Sequence, residues 1–339
     1  MNLTSRSNRA LLLLHSVLAG QLTAQRFEVP AGQSLRYFKG NTHTHTLESD
    51  GDSPPEVVVR WYRDHGYQFL VLSDHNVFTD PKRLGGLVDT SFILIGGEEL
   101  TSAFQNRPVH VNGLNLSAVI APRRDSTLIG TIQRNVDAVR EVRGTPHINH
   151  PNFGWAFSTR ELLQIRNDPL IEIWNGHPTV HNEGGDDSPG LEEVWDELLT
   201  AGKRIYGIAV DDAHHFQGEF AANRANPGRG WIAIQAERLD PVLLMSGLER
   251  GRFYASTGVA LERVTVEPNR LAITIAADRD FKFTTTFIGD SGRVLAVRGG
   301  RNPEFRLTAA EARGLRYVRA RVDDSGGRHA WIQPVFVIP

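Results

Sequence analysis

Short apolar segments alternate with helical patterns over most of this chain, and this alternation limits the fold more than any other feature. Between Leu35 and about Ala260, the helical stretches carry apolar residues at three- and four-residue steps. Such repetition is typical of a parallel sheet, either open or closed into a barrel. The predicted strands are 37–41, 69–73, 92–96, 109–114, 145–149, 171–175 and 205–210, and the predicted helices are 56–65, 129–143, 159–165 and 191–201.

The pattern changes after about Glu262. From there, short segments alternate apolar with polar residues and are separated by turns rich in glycine and aspartate, such as 289–292 and 323–327. This alternation is typical of a small antiparallel β-sandwich. We therefore predict two domains, an α/β domain at residues 36–262 and a β-sandwich at residues 263–339.

The first 24 residues have the composition of a targeting segment. Arg6 and Arg9 precede a short apolar core at 10–20, and Ala19 and Ala24 are small residues suited to a cleavage site. We predict a signal peptide and export to the periplasm or the cell exterior; the alternative is a short amphipathic helix. No apolar run approaches the ~18 residues that a membrane span requires, so no membrane partner is expected.

Cysteine is absent, which excludes disulfides, thiolate metal sites and cysteine nucleophiles. Metal ligands must then be imidazole or carboxylate groups, which suit zinc, manganese or iron. The net charge of −2 and the scattered aromatic residues give no sign of an extended nucleic-acid surface. The expected partner is a small-molecule substrate, and the oligomeric state stays open.

Histidine and acidic residues collect where the predicted strands end. His43 and His45 follow directly on the first predicted strand, and residues two apart on an extended chain point to the same side. In (β/α) barrels the loops after the strands converge on one face, so these groups would meet there. Buried carboxylates and imidazoles are costly unless they are paired, and a shared cation explains the cluster. Its other members are Asp50, His75, Glu98 or Glu99, His110, His147, His150, Asp212 and His214.

The order of these motifs resembles the PHP (polymerase and histidinol phosphatase) superfamily of metallohydrolases. The resemblance rests on His-Thr-His at 43–45, Ser-Asp-Gly at 49–51, Leu-Ser-Asp-His-Asn at 72–76, Gly-Glu-Glu at 97–99, Asn-His-Pro at 149–151 and Asp-Asp-Ala-His at 211–214. It implies an α/β fold, a distorted (β/α)7 barrel, with a small C-terminal antiparallel β-sandwich. Segments 251–258 and 317–334 resemble the carbaryl-hydrolase-like branch, in which a β-sandwich follows the barrel.

The resemblance further implies two or three divalent ions, zinc, manganese or iron, held by overlapping ligand sets. Glu99 is favoured over Glu98 because the family places its glutamate two residues after a glycine, here Gly97, and Asp50 stands where some relatives carry histidine. The three implied sets are His43, His45, Glu99 and Asp212; Glu99, His110 and His150; and Asp50, His75 and His214.

A water shared by two cations ionises near neutral pH, so the resemblance implies a metal-dependent hydrolase, and a phosphoesterase is the first expectation. Hydrolysis of carboxyl esters, amides or carbamates is the alternative, as is a non-catalytic metal-binding module. Asp74 precedes His75 and is a candidate for proton transfer or for orienting ligands, unless it only caps a turn. Glu172 and Asn175 either orient ligands or form core hydrogen bonds. We expect ordinary roles for His15, His65, His177, His181, His215 and His329.

Overall fold

The computed structural model describes residues 25–30, 36–185 and 187–339. The predicted signal peptide at residues 1–24 and His15 lie outside these described ranges. Within them, the chain is a sheet-rich mixed α/β protein. No helix of the described part is long and apolar enough to cross a membrane.

The helices pack one apolar side against the sheets. α1 begins directly after Pro54, with a second proline in its first turn, and buries Val58, Val59 and Tyr62. Each large side chain buried in this way contributes about 1.5–3 kcal/mol, which holds the helix against its strands. The helices are α1 (Pro55–Asp64), α2 (Leu128–Glu141), α3 (Thr159–Leu162), α4 (Leu191–Thr200), α5 (Pro241–Glu249) and α6 (Ala309–Ala312).

The strands account for most of the regular structure. Those predicted from the sequence are present, and β1, β5, β10 and β11 are additional. In chain order they are β1 (Arg26–Phe27), β2 (Arg36–Asn41), β3 (Phe69–Val71), β4 (Ile93–Ile95), β5 (Gly97–Phe104), β6 (Arg107–Leu114), β7 (Thr145–Ile148), β8 (Leu170–Asn175), β9 (Tyr206–Val210), β10 (Trp231–Ala236), β11 (Phe253–Ser256), β12 (Leu261–Glu267), β13 (Arg270–Ile275), β14 (Phe283–Gly289), β15 (Arg293–Gly299), β16 (Glu304–Arg306), β17 (Tyr317–Asp324) and β18 (His329–Ile338).

The expectation of a parallel sheet holds only in part. Strands β2, β3 and β4 are parallel, as are β7, β8 and β9, but β5–β6 and β6–β7 are antiparallel, and β10 pairs antiparallel with β2 and β11. The reason is local, because a two-residue turn at Gln105 and Asn106 joins β5 to β6, and so short a connection permits only antiparallel pairing.

The strands of the α/β region fall into two sheets, and their ladders do not join into one closed barrel among the described residues. One sheet has the order β5-β6-β7-β8-β9, and the other contains β10-β2-β3-β4. Isolated bridges connect the two sheets at two seams, Thr44 with Ala213 and His75 with Glu99. Candidate metal ligands therefore lie where the two sheets meet.

The C-terminal strands are antiparallel, in agreement with the sequence pattern. Strands β12, β13 and β16 form a separate sheet, whereas β14, β15, β17 and β18 continue the larger sheet through the β18–β11 pair. Phe287 of β14 and Phe305 of β16 contact each other between these sheets, with ring centroids 5.7 Å apart. The division into domains at residues 262 and 263 stays a prediction.

Candidate metal centre

All nine candidate ligands come together at the strand ends. They form four overlapping groups, and within each group the potential ligand atoms lie within 4.8 Å of one another. The groups are His45, Asp50, His75 and His214; His43, His45 and Asp212; His43, Glu99 and His150; and His75, Glu99 and His110. Residues distant in sequence thus share one centre, although the sets differ in detail from those that the resemblance implies.

The Glu99 carboxylate is the hub of the centre and is fully buried on β5. Its Oε1 lies 2.9 Å from His110 Nδ1 and 3.5 Å from His150 Nε2. Its Oε2 lies 3.4 Å from His43 Nε2 and 3.5 Å from His45 Nε2. One carboxylate therefore faces imidazoles on both of its oxygens, as a residue bridging two cations would.

Asp212 completes the inner part of the centre. Its Oδ1 lies 3.2 Å from His43 Nε2 and 3.1 Å from His45 Nε2. Ligand atoms about 2.1 Å from one tetrahedral ion stand ~3.4 Å apart, which is close to these separations. The backbone of Asp212 has a φ of 49°, a left-handed conformation that is uncommon outside glycine and is found at functional sites.

Asp50 forms the outer part of the centre, and its side chain is 54% exposed. Its Oδ1 lies 3.3 Å from His214 Nε2, and its Oδ2 lies 3.5 Å from His75 Nε2. A Cβ on Gly51 would lie 2.7 Å from the carbonyl oxygen of His45, so only glycine lets this turn fold back on the first strand end. The Ser-Asp-Gly motif thereby places a carboxylate opposite two imidazoles.

Buried polar atoms without hydrogen-bond partners test whether a cation fits here. His43 Nε2, Glu99 Oε2 and His110 Nδ1 are buried and make no hydrogen bond in the described structure. Such atoms would cost about 1–3 kcal/mol each if left unpaired. All three point into the centre, and coordination to a divalent ion would satisfy them, so the donor set fits metal.

The electrostatics of the centre are strongly perturbed. Burial alone would lower the pKa of His43, but Asp212, Glu99 and Glu172 together raise this pKa well above its usual value. Burial would raise the pKa of Glu99, yet His110 and His43 hold this pKa well below its usual range. Without cations, His43 balances these carboxylates by keeping its proton, and a bound cation would displace that proton.

Glu172 on β8 is not a member of the four ligand groups, but it orients the candidate ligand His43. Its Oε1 lies 2.7 Å from His43 Nδ1, and its Oε2 accepts from the His150 backbone N–H at 2.8 Å and from Asn175 Nδ2 at 2.8 Å. A carboxylate on one ring nitrogen fixes the tautomer, so the other nitrogen faces the centre as a free ligand. Of the two roles that the sequence left open, the contacts favour orientation.

Asp74 lies beneath the turn that carries Asp50. Its Oδ1 accepts from the Thr46 backbone N–H and from Ser49 Oγ, both at 2.7 Å, and its Oδ2 accepts from Thr46 Oγ1 at 2.8 Å. These three bonds occupy a buried carboxylate with local donors. They support a positioning role for Asp74, and its proton-transfer role stays a prediction.

Three other residues near the centre have distinct settings. Glu98 points away from Glu99 and accepts from the Ile120 backbone N–H, and burial raises the pKa of Glu98 to about 7. His147 is buried outside the four groups, with its ring 6.1 Å from that of His43.

His177, which we expected to be ordinary, lies beside His214 with ring centroids 5.2 Å apart. A lone histidine after a strand gives little indication of function, so the sequence did not single out His177.

Comparisons with known proteins place the fold. No protein-family model and no curated protein matches the chain. A two-domain protein from Bacteroides vulgatus, described as containing a predicted PHP-like metal-dependent phosphoesterase, is similar over 93% of this chain and 100% of its own, with a TM-score of 0.53 and 16% identity. At that identity the likeness concerns the fold, which the two proteins share over nearly their whole lengths.

Two further solved structures resemble the chain more weakly. A protein from Bifidobacterium adolescentis, provisionally assigned as a metal-dependent phosphoesterase, has a TM-score of 0.42 and 14% identity over 66% of this chain and 98% of its own. An amidohydrolase from Chromobacterium violaceum, solved with sulfate and no metal, has a TM-score of 0.37 and 13% identity over 55% of this chain and 93% of its own.

Proposed function

We propose that this chain is a PHP-type, metal-dependent phosphoesterase that hydrolyses ester bonds of a small substrate. One observation carries the proposal, namely that both oxygens of the buried Glu99 face imidazoles from separate strands. A carboxylate in this setting suits a site with more than one cation. The fold shared with a two-domain protein that contains a predicted PHP-like phosphoesterase supports the same conclusion.

The inner ligands would hold two divalent ions, zinc, manganese or iron. Bound there, the ions supply Lewis acidity and a water ionised near neutral pH. His43, His45, Asp212 and Glu99 would hold one ion, while His110 and His150 would share Glu99 to hold another. Asp50, His75 and His214 would hold a third ion at the exposed edge, where a substrate approaches from solvent.

The protein's own groups prepare this chemistry. Glu172 holds the His43 ring in one orientation, and Asn175 joins Glu172 to Asp212 through bonds of 2.8 and 3.1 Å. Asn149 Nδ2 donates to Glu99 Oε1 at 2.7 Å and so fixes the bridging carboxylate. Such preorganisation lowers the cost of binding ions and of stabilising charge in the transition state.

The proposal extends to the setting of the enzyme. We propose that the chain is exported, that residues 1–24 are its signal peptide, and that the C-terminal strands form the β-sandwich of a carbaryl-hydrolase-like branch. The net charge of −2 offers no general attraction for anionic polymers, which supports a small-molecule substrate.

Substrate assays with defined metal content test the proposal. Purified protein loaded with Mn²⁺ or Zn²⁺ is assayed on aryl phosphate mono- and diesters beside aryl carboxyl esters and carbamates. Metal analysis of protein purified without added metal gives the native ions. Glu99→Gln is the inactive reference, and Glu98→Gln, one residue away but outside the four groups, is the matched control.

We expect turnover of phosphate esters that EDTA abolishes and that Glu98→Gln retains. Activity confined to carbonyl substrates would overturn the phosphoesterase proposal in favour of a carboxyl ester, amide or carbamate hydrolase. Stoichiometric metal with no turnover on any substrate would instead indicate a non-catalytic metal-binding module.

A further inference from the structure

His177 lies on the loop after β8, beside the ligand groups, and is partly exposed. Its ring meets the His214 ring edge to face. Its backbone N–H donates to Asn175 Oδ1 at 2.8 Å, and Asn175 Nδ2 donates to Asp212 Oδ2 at 3.1 Å. The side chain of Asn175 therefore links the backbone of His177 to the candidate ligand Asp212.

The contacts of its ring define which nitrogen carries the proton. His177 Nδ1 accepts from the Thr179 backbone N–H at 3.3 Å, and Thr179 Oγ1 lies 2.8 Å from the same nitrogen. A ring nitrogen that accepts from an N–H carries no proton itself, so the neutral ring is protonated on Nε2. Among the described residues no acceptor receives a hydrogen bond from this Nε2–H.

The Nε2–H of His177 is thus a donor that has no acceptor among the described residues, and the ring that carries it lies beside the candidate ligand His214.

We propose that His177 binds a phosphoryl oxygen of the substrate through Nε2–H. This inference rests on the proposed phosphoesterase function, because it assigns a second contact to the group that the ions would bind. A phosphoryl group has several oxygens, and those that do not bind the ions need hydrogen-bond donors. Thr179 acts through the ring, as a positioning residue that holds Nδ1 as an acceptor.

Inorganic phosphate is the probe for this site, titrated calorimetrically into metal-loaded protein. His177→Phe keeps a planar ring and removes the donor, whereas His177→Gln keeps an amide N–H close to the position of Nε2. Hydrogen bonds to charged groups are worth enough to predict about 10- to 100-fold weaker phosphate binding in His177→Phe. The KM for an aryl phosphate should rise in proportion, and His177→Gln should recover most of both losses with metal content unchanged.

His181→Phe is the matched control, because His181 lies four residues later on the same loop and stacks on Trp155 with centroids 4.6 Å apart. It should leave phosphate affinity and KM unchanged. Equal phosphate affinity in His177→Phe and wild type would overturn the inference, as would loss of metal from His177→Phe or failure of wild type to bind phosphate.

The two proposals fail in distinguishable ways. If wild type binds phosphate but hydrolyses no ester, the proposed phosphoesterase activity is contradicted. The phosphate affinity of His177→Phe would still decide the role of His177. Wild type that hydrolyses phosphate esters with His177→Phe unaffected would contradict the role of His177 alone.

Discussion

Glu172 Oε1 lies 2.7 Å from His43 Nδ1, and both side chains are fully buried. This contact turns His43 Nε2 towards Glu99 and Asp212, at 3.4 and 3.2 Å. The segment that follows β2 is thereby coupled to β8 through one candidate ligand. The orientation of His43 in the candidate metal centre therefore depends on Glu172.

Glu172→Gln tests that dependence. The amide keeps the shape but replaces a charged partner, so His43 should become a weaker and less well oriented ligand. We expect metal affinity and activity to fall about 10–100-fold, as is usual for an outer partner of a ligating histidine. Metal titration with a competing chelator measures the effect, with the exposed Glu56→Gln as control. Equal metal affinity in Glu172→Gln and wild type would show that the contact serves packing only.

Adjacent glutamates give the sharpest test of the ligand assignment. Glu99→Gln should lose at least one equivalent of metal and more than about 100-fold in activity, because the change removes the shared carboxylate and not only an outer partner. Glu98→Gln should retain both, since Glu98 contacts the Ile120 backbone instead. Metal content by mass spectrometry and kcat on an aryl phosphate are measured for both variants. Loss of metal and activity in Glu98→Gln, with both retained in Glu99→Gln, would assign the bridging role to Glu98 instead.

These examples also show what the sequence could predict. His-x-His and strand-end acids are local patterns that predict a cluster, and the resemblance to the PHP superfamily implies which nine residues are its ligands; the structure brings all nine together. The hairpin β5–β6 was not predicted, because Gly97 and Glu99 read as a strand end and the turn at Gln105 and Asn106 carries no glycine. The barrel was implied by the resemblance to the PHP superfamily, whereas the strand–helix pattern alone left an open sheet possible.

Contacts across strands lay beyond the sequence pattern. The bond from Glu172 to His43 joins residues 129 positions apart, and no local spacing predicts it. The donor state of His177 depends on Thr179, and a lone histidine after a strand gives no sign of it. The sequence did not show these contacts between side chains of different elements, because they depend on how the elements pack in the fold.

Glu98 makes stability depend on pH. Burial raises the pKa of Glu98 to about 7 from an ordinary 4.5, so between these values the folded chain binds a proton that the unfolded chain has released. Stability contributed by this group therefore falls as pH rises through that window and is constant above it. Relative to wild type, Glu98→Gln should gain roughly 2–3 kcal/mol between pH 5 and pH 8.

Urea unfolding in EDTA at pH 5, 6, 7 and 8 measures that difference without a contribution from metal binding. The exposed Glu56→Gln serves as control and should follow wild type at every pH. Parallel curves for Glu98→Gln and wild type would mean that Glu98 is ionised in the folded chain across this range.

Asp74→Asn separates positioning from proton transfer. Asn lacks an acceptor for one of the donors Thr46 and Ser49, so the turn carrying Asp50 should loosen, at a cost of about 1–3 kcal/mol. We expect the outermost metal equivalent to be lost while both limbs of the pH–rate profile remain. Ser49→Ala, which removes one donor only, should have a smaller effect. Loss of one limb with full metal content would instead make Asp74 the proton-transfer group.

Arg319 clamps the C-terminal strands to α4. Its Nε and one terminal nitrogen reach Asp196 at 2.7 and 2.6 Å, its other terminal nitrogen lies 2.9 Å from Glu192, and its side chain is 2% exposed. Arg319→Met leaves Asp196 buried without its charged partner, which should cost about 3–5 kcal/mol. Arg321→Met, two residues along the same strand but 38% exposed, should cost at most about 1 kcal/mol.

Replacing both members of the pair distinguishes the clamp from simple packing. Asp196→Leu combined with Arg319→Met removes both charges, and buried ion pairs can often be exchanged for apolar side chains with little loss. We therefore expect the double variant to recover much of the stability lost in Arg319→Met, as measured by urea unfolding. Metal content should not change in any of these variants, because neither residue belongs to the ligand groups. Additive losses in the double variant would show that Arg319 stabilises the fold through its own packing, independently of Asp196.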